Sequence, residues 1–180
     1  MIPPEPASAP AEDKFSSADV SEILRDHHWL IGAPSEEQNA WCQRSAALLG
    51  PKSSELAALD NLLSLIFHYD AQEVLATMDA HAVLSRYAAR DVIRKLANLL
   101  LDSVPLTTDR FNEIVDALKS ELDIRGRELF HPLRLALAGR SGEGELDRVI
   151  LLLDEAAAAK FPAAVKSART RIIEFCSALD

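Results

Sequence analysis

An all-α fold, a multi-helix bundle or cage, is what this 180-residue sequence predicts, and three observations predict it. Apolar residues recur at spacings of three and four from Ser17 onward, no segment alternates with the period of a strand, and the breaks carry Gly, Pro, Ser, Thr or Asp. The 48% hydrophobic content is enough for a proper core, and a mean hydropathy near zero fits a soluble globular chain.

Taken in order, residues 1–16 read as a disordered leader. Four prolines stand among Ala, Ser, Glu and Asp before Phe15, a composition that buries too little apolar surface to offset chain entropy, and no arginine is present to suggest an organelle transit peptide. The helical domain is expected over residues 17–180. Ile23, Leu24, His27 and Leu30 mark a first helix that ends before Gly32. Ser35-Glu-Glu-Gln38 has the form of a capping box and opens a second helix, which Gly50-Pro51 stops. The Gly50-Pro51-Lys52-Ser53 interruption predicts a turn or, as the alternative, a subdomain seam.

Leu56, Leu59, Leu62, Leu63 and Ile66 form the apolar stripe of a third helix, and Asp70-Ala-Gln-Glu73 caps a short fourth. A long fifth helix is predicted from about Val83 to Leu101, and Thr107 or Thr108 caps a sixth that buries Phe111, Ile114, Val115 and Leu118. Pro132 predicts the first turn of a short helix closed by Gly139, with Leu133, Ala136 and Leu137 on one side and Arg134 projecting from another. Glu145 to Lys160 and about Pro162 to Ala178 complete the series.

Charge narrows the function. A net charge of −9 opposes non-specific binding to a polyanion, so DNA is not an expected partner. Residues 1–124 carry 10 basic and 20 acidic side chains, whereas residues 125–171 carry 9 and 6. No stretch of 18 apolar residues predicts a membrane span. Cys42 and Cys176 lie far apart in helical patterns and read as buried free thiols of a cytoplasmic protein.

Few groups invite catalysis or metal binding. His27 and His28 point about 100° apart on a helix with no third ligand at metal spacing, and Glu143, Glu145 and Asp147 lack the spacing of a calcium loop. Trp29, Trp41, Tyr69 and Tyr87 are read as core or interface groups rather than base-stacking platforms. No cofactor and no metal is expected.

The stretch Gly126-Arg-Glu-Leu-Phe-His-Pro-Leu-Arg134-Leu-Ala-Leu-Ala-Gly139 carries the functional signal. It resembles the signature of the anticodon-binding region of glutamyl-tRNA synthetases, roughly Gly-x-x-Leu-Phe-x-Pro-Leu-Arg-x-Ala-Leu-Thr-Gly. Leu65-Ile-Phe-His-Tyr-Asp70 resembles the aromatic-acidic junction that precedes the last helices of that family. The resemblance is clearest from about Leu62 to Ala156. It implies that Arg134 contacts the middle base of an anticodon and that the following loop supplies further contacts.

By that resemblance the candidate RNA-binding residues are Arg134, Leu146, Gly144, Glu143, Arg127 and Arg140: Arg134 to read a base, Leu146 to pack against one, and the two outer arginines to hold nearby phosphates. This chain departs from the pattern at Ala138, where the family has Thr, and at Glu143-Gly144, where Gly144 replaces a proline and Glu143 brings a negative charge. The nucleotide-binding motifs that aminoacylation requires in this family, His-Ile-Gly-His-like and Lys-Met-Ser-Lys-like, are not in the sequence. The expectation is a stand-alone tRNA-binding domain with no aminoacylation of its own, for which tRNA-Glu is the natural candidate, working beside a separate catalytic or other protein partner. The alternative is a protein-interaction module that has kept the helical cage and lost RNA binding.

Overall fold

Capping side chains open six of the ten helices among the described residues. In the computed structural model, which describes residues 14–180, ten α-helices follow one another. They are α1 (Ser17–Asp26), α2 (Glu36–Leu49), α3 (Leu56–Phe67), α4 (Ala71–Leu75), α5 (Met78–Leu84), α6 (Ala89–Leu100), α7 (Thr108–Leu122), α8 (Arg127–Ala138), α9 (Gly144–Ala158) and α10 (Ala168–Leu179). No strand occurs among the described residues. Full capping boxes open α1 and α2, from Ser16 with Asp19 and Ser35 with Gln38, and the side chains of Asp70, Thr77, Thr107 and Ser167 cap α4, α5, α7 and α10.

Four expectations need correction or sharpening. The long helix from Val83 to Leu101 is two helices, because Ser85 turns its hydroxyl onto the Ala82 carbonyl and Arg86 closes a tight turn on Val83 before α6 begins. The last helix starts at Ala168 rather than near Pro162, since Ser167 supplies the N-cap. Pro132 lies in the interior of α8, not its first turn; the helix begins at Arg127, behind Gly126. Pro132 leaves the carbonyl of Glu128 without an intrahelical donor, and Glu128 sits at the exposed end of the helix, where water can take that place.

The fourth concerns the leader. Residues 1–13 lie outside the described residues, but Phe15 is buried over Gly50 and Ser16 caps α1, so these two belong to the folded body. The Gly50–Lys52 interruption is a single 3-10 turn, and α2 and α3 on either side of it both pack on α9.

The core gathers around α8. This helix packs against α5, α6, α9 and α10, and every residue from Pro132 to Ala138 is buried. The enclosed stretch from Pro132 to Ala138 has no solvent face, which is why the expected division into an apolar side and a free Arg134 does not hold. At the far end of the bundle Trp41, Phe67 and Phe161 meet edge to face, with ring centroids 5.2–5.6 Å apart, and the indole of Trp41 donates to the Leu152 carbonyl at 3.0 Å.

Candidate nucleic-acid interface

Two glycines fix the ends of α8. Gly126 adopts φ 64°, ψ −141° and Gly139 φ 87°, ψ 0°, conformations that side chains with a Cβ rarely take. The five residues from Gly139 to Glu143 then connect α8 to α9.

The short loop turns α9 back along α8 and sets Asp147, in the first turn of α9, opposite Arg134. The guanidinium meets this carboxylate in parallel, Nε to Oδ1 at 2.8 Å and Nη2 to Oδ2 at 2.9 Å, while Nη1 donates to the Gly142 carbonyl at 2.6 Å. The Phe130 ring lies beneath, 4.8 Å from the guanidinium carbon. Arg134 is therefore 8% exposed, held in an ion pair rather than projecting freely, and three of its five N–H donors are engaged within the fold.

From the other side the loop is held by Asp79 near the start of α5, whose carboxylate accepts from both the amide and the hydroxyl of Ser141. Arg134 and Asp79 together leave the loop little freedom. Leu146, expected to cover a base, is fully buried: it lies under Gly142, where a Cβ would come within 2.8 Å of Leu146 Cδ1, so it forms the floor of the loop. Arg127, Arg140, Glu143 and Gly144 are all exposed. The structure thus separates the six candidates into two interior residues that build the loop and four on its rim and at the start of α8.

The basic segment is less basic at its surface than in its sequence. Arg134 and Arg171 are buried, Arg148 donates to the Leu48 carbonyl at 2.7 Å, and Lys166 pairs with Glu174 at 2.9 Å. Arg125, Arg127, Arg140, Lys160 and Arg169 remain exposed.

Two residues escaped the sequence reading. Arg86 donates from Nη1 to Nδ1 of His131 at 2.8 Å, which requires that imidazole to be neutral with its proton on Nε2. Desolvation, and after it the charges of Arg86, Arg127 and Arg134, push the His131 pKa down, outweighing Asp79, which pulls the other way. Arg171 is wholly buried and bonds only carbonyls: Leu65 and Ile66 at the end of α3, Leu137 at the end of α8, and Lys166. Desolvation lowers its pKa to about 10, so it stays protonated at neutral pH. A lone Arg on a helical stripe was the available signal, and composition counted it as surface charge instead.

No group of three His, Cys, Asp or Glu side chains among the described residues is arranged to hold a metal ion. No helix among them is long and apolar enough to cross a membrane. Cys42 is a buried free thiol, pushed up to about 11 by desolvation, and Cys176 is a half-buried one.

The fold is an all-α domain built around α8, with the α8–α9 loop held from both sides by Arg134 and Asp79. The family model for the anticodon binding domain matches residues 18–159, and the chain belongs to that family, in the form found in glutamyl-tRNA synthetases. A "Glutamate--tRNA ligase 2" from Syntrophus aciditrophicus is 29% identical over 118 residues, 66% of this chain and 24% of the relative. The glutamate–tRNA ligase of Bacillus licheniformis is 28% identical over 144 residues, 78% of this chain and 29% of the relative, and that of Geobacillus stearothermophilus 29% over 119 residues, 66% and 24%. The chain thus spans about a quarter of the length of the curated relatives it matches. No solved structure matches it.

Proposed function

We propose that this chain is a stand-alone binder of tRNA, with tRNA-Glu as the preferred species, acting in the cytoplasm through the loop between α8 and α9 and without aminoacylation activity of its own. One observation carries the reading: the loop is fixed from both sides, by Arg134 and by Asp79, while its rim is left exposed with Arg140 upon it and Arg127 at the start of the same helix. A preorganised edge loses little entropy on meeting a flexible RNA loop. Arg134 meets the middle anticodon base with the two N–H donors the fold leaves unengaged, Arg127 and Arg140 take phosphates, and Leu146 acts from below by supporting Gly142. Glu143 and Gly144 border the base-binding edge, where Glu143 disfavours phosphate and admits a base amino group. The chemistry of charging belongs to a separate catalytic partner.

Titration of the full chain with total tRNA and with the tRNA-Glu anticodon stem–loop, at low and moderate salt, tests this reading. Binding should weaken as salt rises, and Arg127→Ala or Arg140→Ala should each reduce the salt slope by about 1. With ATP, glutamate and tRNA the chain alone should form no aminoacyl-tRNA. Absence of binding to any tRNA at low salt, with helicity intact, overturns it.

A second reading is favoured by the sequestration of Arg134 and the net charge of −9: a protein-docking module that has lost RNA. Its partner would be held by an apolar helix face, and that association should be nearly indifferent to salt.

A further inference from the structure

Tyr87, which the sequence places among core or interface groups rather than base-stacking platforms, is in fact 102% exposed, and its ring stacks on no other aromatic group among the described residues. A single exposed aromatic side chain is ordinary; its setting here is not. Tyr87 stands in the turn between α5 and α6, and that turn is firm: Ser85 bonds the Ala82 carbonyl, Arg86 N–H the Val83 carbonyl and Ala89 N–H the Arg86 carbonyl. The ring is carried on a rigid stalk.

Arg86, its neighbour, is fixed by neutral His131 rather than by a carboxylate, so its charge is not compensated as that of Arg134 is. Among the described residues no acidic side chain forms an ion pair with Arg86, Arg127 or Arg140. Through its bond Arg86 reaches His131, one helical turn beyond Arg127, so the α5–α6 turn lies beside the first turns of α8, while Asp79 of the preceding helix α5 holds Ser141 in the loop at the other end of α8.

From this arrangement we infer that the α5–α6 turn is a second RNA contact, in which Tyr87 stacks on an unpaired base while Arg86 and Arg127 hold the adjoining phosphate. The inference rests on the tRNA-binding reading and extends its surface to Arg86 and Tyr87, which the signature does not include. A flat, exposed ring beside fixed cations suits single-stranded RNA, whose bases offer free faces; a duplex hides those faces, and an acidic peptide would use the arginines without needing the ring.

The test titrates the full chain and its Tyr87→Ala, Tyr87→Phe and Arg86→Gln variants with the tRNA-Glu anticodon stem–loop and with a blunt RNA duplex of equal charge. Tyr87→Ala should weaken stem–loop binding about tenfold without changing its salt slope, and Tyr87→Phe should restore it. Arg86→Gln should lower the slope by about 0.7–1. If Tyr87→Ala binds like the unaltered chain while Arg140→Ala is weakened, the inference fails and the tRNA reading stands. Equal binding of duplex and stem–loop, independent of Tyr87, also overturns it. If the unaltered chain binds no RNA at low salt, both fail together.

Discussion

Arg134 and Arg171 are both buried guanidiniums on helices that meet at α8, yet the fold satisfies them in opposite ways. Arg134 lies near the loop and meets one carboxylate, that of Asp147, in a two-pronged pair. Arg171 lies beneath the C-terminal end of α8 and meets no carboxylate; four carbonyls surround it, three of them in the last turns of α3 and α8, where the helix dipoles present negative charge. The Tyr69 ring covers it, 4.6 Å from the guanidinium carbon, and the Tyr69 hydroxyl donates to the Ala136 carbonyl at 2.6 Å. One site is a replaceable ion pair at the edge of a loop. The other ties the ends of two helices to a third, and it extends the folded unit past residue 159, where the family match ends.

The largest effect should come from breaking the second site. Arg171→Met removes the donor to four carbonyls and leaves those in the interior unsatisfied, so we expect a loss on the order of 3 kcal/mol or more, read by urea unfolding at neutral pH. Arg171→Lys should recover only a part, because an ammonium cannot match the planar fork that reaches both helix ends. An unchanged midpoint in Arg171→Met would mean that the carbonyls find other partners and that the two sites do not differ in this way.

The ion pair should respond differently. Asp147→Asn leaves a largely buried cation without its counter-charge and should cost about 2 kcal/mol, less than for a fully enclosed pair because Asp147 keeps 23% of its side chain in solvent. Replacing both partners, Arg134→Met with Asp147→Leu, should regain most of that loss, since apolar groups of similar volume need no partner. No such double replacement exists for Arg171, whose partners are backbone. A double variant as unstable as Asp147→Asn would show that Arg134 also acts through Gly142 and the loop.

The contrast also explains what was legible in the sequence. Helix class, the capping box at Ser35, the caps at Asp70 and Thr107, and Gly139 closing α8 follow from local rules, and they stand in the structure. The split of the fifth helix was hidden because Ser85-Arg-Tyr-Ala88 contains neither Gly nor Pro, and a serine hydroxyl turned onto a carbonyl does the breaking. Arg134 was picked out by its motif, but its partner Asp147 is specified only by how the loop folds back. Arg171 carries no motif at all; its role comes from two helix ends that converge from residues 65–66 and 137, a tertiary fact.

Tyr69→Phe should have a smaller effect. It removes the hydroxyl bond to Ala136 but keeps the ring over Arg171, which predicts a loss of about 1 kcal/mol at neutral pH. Desolvation raises the Tyr69 pKa above its ordinary 10, so the folded chain keeps this proton after the unfolded chain has released it. The resulting stability is present below pH 10 and lost as the pH climbs beyond it. Tyr69→Phe should therefore flatten part of the alkaline decline in unfolding midpoint, while Cys42, displaced from 9.0 to about 11, continues to contribute to it from pH 9 upward.

The smallest predicted change is a gain. Gly144 is the first residue of α9, has open space where a Cβ would stand, and follows Glu143 at φ −102°, ψ −165°, an extended conformation that proline tolerates before it. At this position an N–H takes no part in the helical ladder, so its loss costs little, and proline fixes the φ the helix needs. Gly144→Pro should stabilise the chain by about 0.5–1 kcal/mol, chiefly by restricting the unfolded state. It should also slow amide exchange at Ser141 and Gly142, bringing the loop nearer to the rigidity of the Arg171 end. A destabilised Gly144→Pro would indicate that the start of α9 must move, and the fixed rim on which Arg140 stands would then lose its physical basis.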